Sequence, residues 1–163
     1  VKYKTIDWDD MILDIITYAG SGGIEYFIQF CSQDKRVLYG FIRLRHNLTD
    51  SYSLPALKRC ALIRELHVYG QHVHVGVTDT TAIQHQGLGS RLLKKAEDIS
   101  RRQGYNKISV IPGVGVRGFY AKKGYILGQH DYMYKSLVYP KTNKIMLLIL
   151  SATILIFIHY LLN

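Results

Sequence analysis

Hydrophobic and polar positions alternate along most of the chain, with one long interruption at helical spacing. Leu88, Leu92, Leu93, Ala96 and Ile99 recur three or four apart, while Arg91, Lys94, Lys95, Asp98, Arg101 and Arg102 fill the opposite face. That pattern predicts an amphipathic helix. Gly104 follows it as the residue just past a helix end. Residues 24–31 and 37–45 are β-rich runs joined through Asp34 and Lys35, which predicts an antiparallel hairpin. Residues 61–69 read as a further strand, 72–77 either extend it or pair with it, and 107–111 form a short buried strand. A second short helix is expected over 114–123, stopped by Gly124, and two last strands over 125–127 and 132–138. At the start, residues 1–6 alternate weakly as strand. Residues 7–18 place Trp8, Met11, Ile12, Ile15 and Ile16 at helical spacing, with Asp7 as N-cap. Gly20-Ser21-Gly22-Gly23 ends that element, and the polar stretch 47–55 predicts a mobile loop.

The long helix opens at Gln84-His85-Gln86-Gly87-Leu88-Gly89-Ser90, directly after β-rich sequence. A chain that passes through glycine into a helix leaves the first helical N–H groups unpaired, and with the helix dipole they form an anion site. Gly87 and Gly89 carry no Cβ, so a phosphate can approach the backbone closely. The spacing lacks the lysine of a P-loop and the G-x-G-x-x-G of a dinucleotide fold. The plain alternative is a glycine turn capping a surface helix.

The length of 163 residues suits one domain with a proper core. Basic residues greatly outnumber acidic ones from Lys58 to Lys144, and the net charge of +9 favours an anionic partner: a ligand's phosphates, nucleic acid or an anionic membrane surface. A basic solvated face would look the same. Cys31 and Cys60, both in apolar stretches, read as reduced core residues. The chain begins with Val1, so its start is expected to be processed or truncated. After Pro140 the composition shifts: Lys141 and Lys144 precede an uncharged, almost wholly apolar run over 145–163. That run meets the length of a membrane span of about 20 residues. The division expected is therefore a domain over 1–140 and a C-terminal transmembrane tail anchor over 141–163. The two lysines would place the domain on the cytosolic side. A buried core helix is the alternative. His72 and His74 alternate on a strand with no third ligand in view, so no metal site is assigned.

Three ordered blocks carry a resemblance: Arg64-Glu65-Leu66-His67-Val68-Tyr69-Gly70, then Gln84 to Gly89, then Ser109 to Tyr125 with its Gly113-Val114-Gly115-Val116-Arg117-Gly118-Phe119-Tyr120 core. Together they resemble the acetyltransferase domain of the Elongator catalytic subunit, within the GNAT superfamily of N-acetyltransferases. The likeness covers roughly residues 18–134. It implies an α/β (α+β) GNAT fold, a mixed central sheet with splayed parallel strands and flanking helices, and acetyl-CoA as co-substrate. The splayed strands would be 61–69 and 107–111. Backbone groups of Leu66, His67 and Val68 would bond the pantetheine, and Gln84, Gly87, Leu88, Gly89, Ser90 and Arg91 would hold the pyrophosphate. A backbone N–H near Val68 would stabilise the oxyanion. Glu65 is the candidate base, acting through water, and its alternative is a salt bridge with a basic neighbour. His67 could assist, or simply pack. Tyr120 sits where such enzymes place their general acid, beside the bound thioester; a core tyrosine is the alternative.

Two departures limit what the resemblance carries. The family pattern has adjacent tyrosines where this chain has Phe119-Tyr120. The family enzyme also carries a radical-SAM domain with a three-cysteine iron–sulfur cluster, and two distant cysteines cannot hold one. The expected function is thus a stand-alone, membrane-tethered N-acetyltransferase with tRNA as a possible partner through Lys94, Lys95, Arg101 and Arg102. The alternatives are a non-catalytic CoA- or tRNA-binding module, and a membrane-bound adaptor.

Overall fold

The computed structural model of the chain describes residues 8–48, 54, 57–69 and 87–138. Among these residues seven strands form one sheet in the order β1-β2-β3-β4-β5-β7-β6. These are β1 (Met11–Gly20), β2 (Gly23–Ser32), β3 (Leu38–Asn47), β4 (Ala61–Val68), β5 (Lys107–Val110), β6 (Ile126–Leu127) and β7 (Met133–Ser136). Helix α1 (Leu88–Arg102) lies between β4 and β5 in the chain, and α2 (Arg117–Ala121) follows a 3-10 turn at Val114–Val116. Among the described residues only β4 and β5 pair in parallel, the arrangement that a crossover helix allows. The other ladders are antiparallel.

One expectation fails. Residues 7–18 do not form a helix: from Met11 onward they are β1. Apolar residues fall on both sides of this strand, so a few of them coincide with helical spacing. Ile12, Ile15, Ile16 and Thr17 are β-branched and suit a pleated strand. The deciding partner is β2, which pairs with β1 from Met11 opposite Ser32 to Gly20 opposite Gly23. Ser21 and Gly22, at φ 47° and 75°, make the two-residue turn between them, and positive φ at both positions matches the twist of a hairpin. The strand over 1–6, the N-cap at Asp7 and the pairing of 72–77 lie outside the described residues, as does the apolar run over 145–163. Among the described residues no helix is long and apolar enough to cross a membrane.

The core lies between α1 and one face of the sheet. Leu88, Leu92, Leu93 and Ala96 from α1 meet Ile28, Ile42, Leu44, Ile63 and Ile108. Each of these leucines and isoleucines, fully buried, contributes roughly 1.5–3 kcal/mol. Two polar seams fix the register of α1. His46 Nε2 meets Ser100 Oγ at 3.0 Å, and Lys135 Nζ on β7 donates to both oxygens of buried Glu97 at 3.0 and 2.9 Å. Cys31 and Cys60 are buried free thiols. Burial pushes the Cys60 thiol up to about 11.

Candidate functional site

The central feature is the end of β4. It pairs with β3 along its length but with β5 only from Ala61 opposite Ile108 to Ile63 opposite Val110. The β5 side of Arg64, Glu65, Leu66, His67 and Val68 therefore has no ladder partner among the described residues. Two local causes open this gap. Pro112 follows β5 by two residues and lacks the N–H that a longer ladder would use, and β5 ends at Val110. On β4 the register to β3 slips between Ile63 and Glu65, leaving Arg64 as a bulge. Arg64 Nη1 donates to Glu25 Oε1 at 2.8 Å, and Arg45 Nη1 donates to the same oxygen at 2.8 Å, which anchors the bulge.

The start of α1 faces this gap. Gly87 at φ 78° makes the turn into the helix. The helix carries no side-chain cap and no acidic residue in its first turn, so its positive end is left for another anion. Arg91 N–H closes the first helical bond onto Gly87 O at 3.0 Å. The donors of the first turn without an intrahelical acceptor are therefore those of Leu88, Gly89 and Ser90. Arg91 instead lays its guanidinium over the Phe30 ring, 4.6 Å from the centroid. A Cβ on Gly89 would meet Val68 Cγ2 at 3.5 Å and Phe119 Cζ at 3.7 Å. The glycine loop, the end of β4 and α2 thus converge, although 21 positions in the chain separate Val68 from Gly89.

Glu65 and His67 point to the sheet face away from α1. Glu65 Oε2 lies 3.5 Å from Arg43 Nη1, and Glu65 Oε1 lies 3.1 Å from His67 Nε2. The salt bridge weighed as an alternative for Glu65 is therefore present, and His67 is its second partner. The His67 ring stands 5.5 Å from Phe41 and 6.4 Å from Tyr69. Tyr120 belongs to the core beside Phe119 and Tyr125, with centroids 5.1 and 5.5 Å away. Burial pushes its hydroxyl up to about 12, so it stays protonated at neutral pH. Gln84 lies outside the described residues, as do His72 and His74.

Two contributors, both in the stretch Gly40 to Arg45 that also resembles the acetyltransferase domain, received no role from the sequence. Arg43 sits opposite Glu65 on β3 and orients it. Strand alternation offered that signal, but only once the register was known. Gly40 is the other: a Cβ there would come within 2.9 Å of His67 O and 3.2 Å of Val68 Cα. Only glycine lets β3 approach the end of β4 so closely.

Comparison with known proteins agrees with this geometry. Residues 7–125 match the acetyltransferase (GNAT) family pattern. Elongator complex protein 3 of Drosophila melanogaster is 43% identical over 122 residues, which is 74% of this chain and 22% of that protein. The Homo sapiens protein of the same name is 42% identical over 121 residues, with the same two shares of 74% and 22%. A solved structure of the archaeal Methanocaldococcus infernus Elp3 with an N-terminal deletion matches with a TM-score of 0.63 and 33% identity, over 80% of this chain and 30% of that one. The chain spans about a fifth of the length of these curated relatives. On the extent of that match the chain belongs to the acetyltransferase (GNAT) family, and the expectation of an acyltransferase related to the Elongator catalytic subunit holds.

Proposed function

We propose that the chain transfers the acetyl group of acetyl-CoA to an amine, as an N-acetyltransferase of the Elongator catalytic-subunit type. One observation carries this reading: β4 parts from β5 after Ile63, and the uncapped start of α1 stands against the freed end at Val68. The gap offers backbone groups of Leu66, His67 and Val68 to the pantetheine amides. The N–H groups of Leu88, Gly89 and Ser90 suit the pyrophosphate. The amine nitrogen attacks the thioester carbonyl, and an N–H near Val68 stabilises the oxyanion. The carbon–sulfur bond then breaks. Glu65 takes the ammonium proton through water before the attack, and on collapse the second nitrogen proton goes to the departing thiolate. Tyr120 donates its hydroxyl hydrogen toward the leaving sulfur. With Tyr120 near 12 and an ordinary thiol near ~8.5, complete transfer is uphill, so the hydroxyl acts chiefly as a strong hydrogen-bond donor.

A second reading, a CoA- or tRNA-binding module without turnover, draws support from the engagement of Glu65 by Arg43 and His67. The related proteins are named for the Elongator complex, which makes tRNA the first acceptor to try. Acetyl-CoA consumption, assayed with tRNA, a polyamine and a lysine peptide in turn, separates the two readings. Turnover with none of them leaves only the module.

The loop assignment has its own test. CoA at ~100 Kd should stabilise the protein by about 2.7 kcal/mol, visible as a rise in Tm. Gly89→Glu should abolish the rise by placing a carboxylate at the anion site. Gly89→Ala serves as the folding control, because its Cβ makes ordinary contacts at 3.5 and 3.7 Å. An undiminished rise in the glutamate variant overturns the assignment.

A further inference from the structure

β1 closes one end of the sheet, and its outer edge has no ladder partner among the described residues. Sheet edges of this kind are ordinarily short, bulged, or protected by lysine or proline. This one is ten residues of regular ladder, reading Met-Ile-Leu-Asp-Ile-Ile-Thr-Tyr-Ala-Gly. Its single charge, Asp14, is neutralised by Lys35 at 3.1 Å. Leu13, Ile15, Ile16 and Tyr18 are 37–48% exposed, so both faces of the strand present apolar surface.

The two faces differ in charge. On the α1 side, Leu13 and Phe30 form the floor of an open cleft whose wall is Arg91, Lys94, Lys95 and Asp98. Asp98 already accepts from Arg101 at 2.7 Å, so the cleft is strongly positive. On the opposite face the edge offers Ile12, Ile16 and Tyr18; among the described residues Asp14 is paired there with Lys35, and Glu25, opposite Tyr18, is shared by Arg45 and Arg64.

We propose that the outer edge of β1 is a β-augmentation site for a partner protein's extended segment that alternates acidic and apolar residues. Main-chain hydrogen bonds would add the segment as an eighth strand, the usual mode of strand addition. Its acidic side chains would fall on the α1 side, in reach of Arg91, Lys94 and Lys95. Its apolar ones would fall on the other side, against Ile12, Ile16 and Tyr18, at the ~4.5–5.5 Å spacing of cross-strand pairs. A second copy of the chain fits this edge poorly. An antiparallel β1–β1 seam has its two-fold axis normal to the sheet, which sets both α1 helices on one side and turns two rows of cations toward each other. The site is also separate from the acetyl-transfer gap, because β2 and β3 lie between β1 and β4. The proposal therefore stands independently of the function proposed above.

The test uses the full-length chain and three fluorescent nine-residue peptides: alternating Glu and Val, alternating Lys and Val, and the Glu–Val peptide with alternate backbone nitrogens methylated. The Glu–Val peptide should bind at low salt, with the Lys–Val peptide weaker by about tenfold or more and the methylated one silent. Amide exchange in β1 should slow only in the presence of the Glu–Val peptide. The double variant Lys94→Glu with Lys95→Glu should reverse the preference. Equal binding of the acidic and basic peptides, or binding that leaves β1 exchange unchanged, overturns the proposal. So does protection, without peptide, of the β1 amides that face away from β2: if it fades on dilution the occupant is a second copy, and if it persists the chain covers its own edge.

Discussion

At Tyr120 a single hydroxyl hydrogen separates a catalytic tyrosine from a structural one. The ring fills the core between Phe119 and Tyr125 in either case, so Tyr120→Phe should leave folding and CoA affinity nearly unchanged. If the hydroxyl assists the leaving sulfur, acetyl transfer should fall by roughly 10²–10⁴. Equal rates in variant and wild type would remove Tyr120 from the reaction. Glu65 asks for a different measurement, because Arg43 and His67 already hold it. Glu65→Gln keeps the shape and loses the base. Its rate deficit should shrink at high pH, where more of the amine is already deprotonated. A deficit independent of pH would mean that the carboxylate only organises Arg43 and His67. Both residues stood out in the sequence through their motifs, yet which face Glu65 occupies and who its neighbours are depended on the bulge at Arg64.

The scale of the element is set by the seam between β3 and α1. His46 is 2% exposed, contacts Ser100 and lies over Tyr105 with centroids 4.3 Å apart. Burial lowers its pKa from 6.5 to about 4, so the folded protein holds it neutral. Between those two values the unfolded chain binds a proton that the folded chain does not. The stability linked to His46 is thus fully present above pH 6.5 and is lost as pH falls toward 4, by about 3 kcal/mol in all. His46→Gln keeps a polar partner for Ser100 and removes the titration. Its Tm should vary much less over this window than the wild type's, and an unchanged slope would place the effect on other groups. The helix half of this seam was legible, because the apolar stripe of α1 repeats through four turns with polar residues opposite. The strand half, β3, was legible as the second arm of the hairpin over 24–31 and 37–45; β1 at residues 11–20 was not, because apolar residues on both sides of an edge strand mimic helical spacing.

For the whole molecule the question is what the excess positive charge serves. Lys94 and Arg102 are exposed on α1 and Lys95 is half-exposed. Arg101, expected among them, is instead tied to Asp98 and donates to Leu137 O at 3.1 Å. If this face serves tRNA, affinity should drop steeply with salt. Changing Lys94, Lys95 and Arg102 together to alanine should then lower the salt slope by roughly one for each phosphate no longer neutralised. Anionic vesicles should compete weakly. A triple variant that binds tRNA as well as wild type at physiological salt would remove tRNA from this face and leave an anionic lipid surface as the better partner.

Sequence by itself determined the parts governed by local rules. The stripe of α1, the turn residues around Gly87 and Gly104, the β2–β3 hairpin and the motif order leading to the family all depend on neighbours a few positions away. The glycine loop named Gly89 as a candidate, and the resemblance of the blocks to the acetyltransferase domain named Glu65 and Tyr120. Tertiary structure alone decided what depends on pairing across long stretches of chain. It made residues 11–20 a strand, because β2 was there to pair with them. It ended the parallel ladder at Ile63 and set Gly40 against Val68, so that the gap opens where α1 begins. Strand pairing is a non-local interaction whose register rests on which surfaces can be buried together, and no window along the chain contains that information.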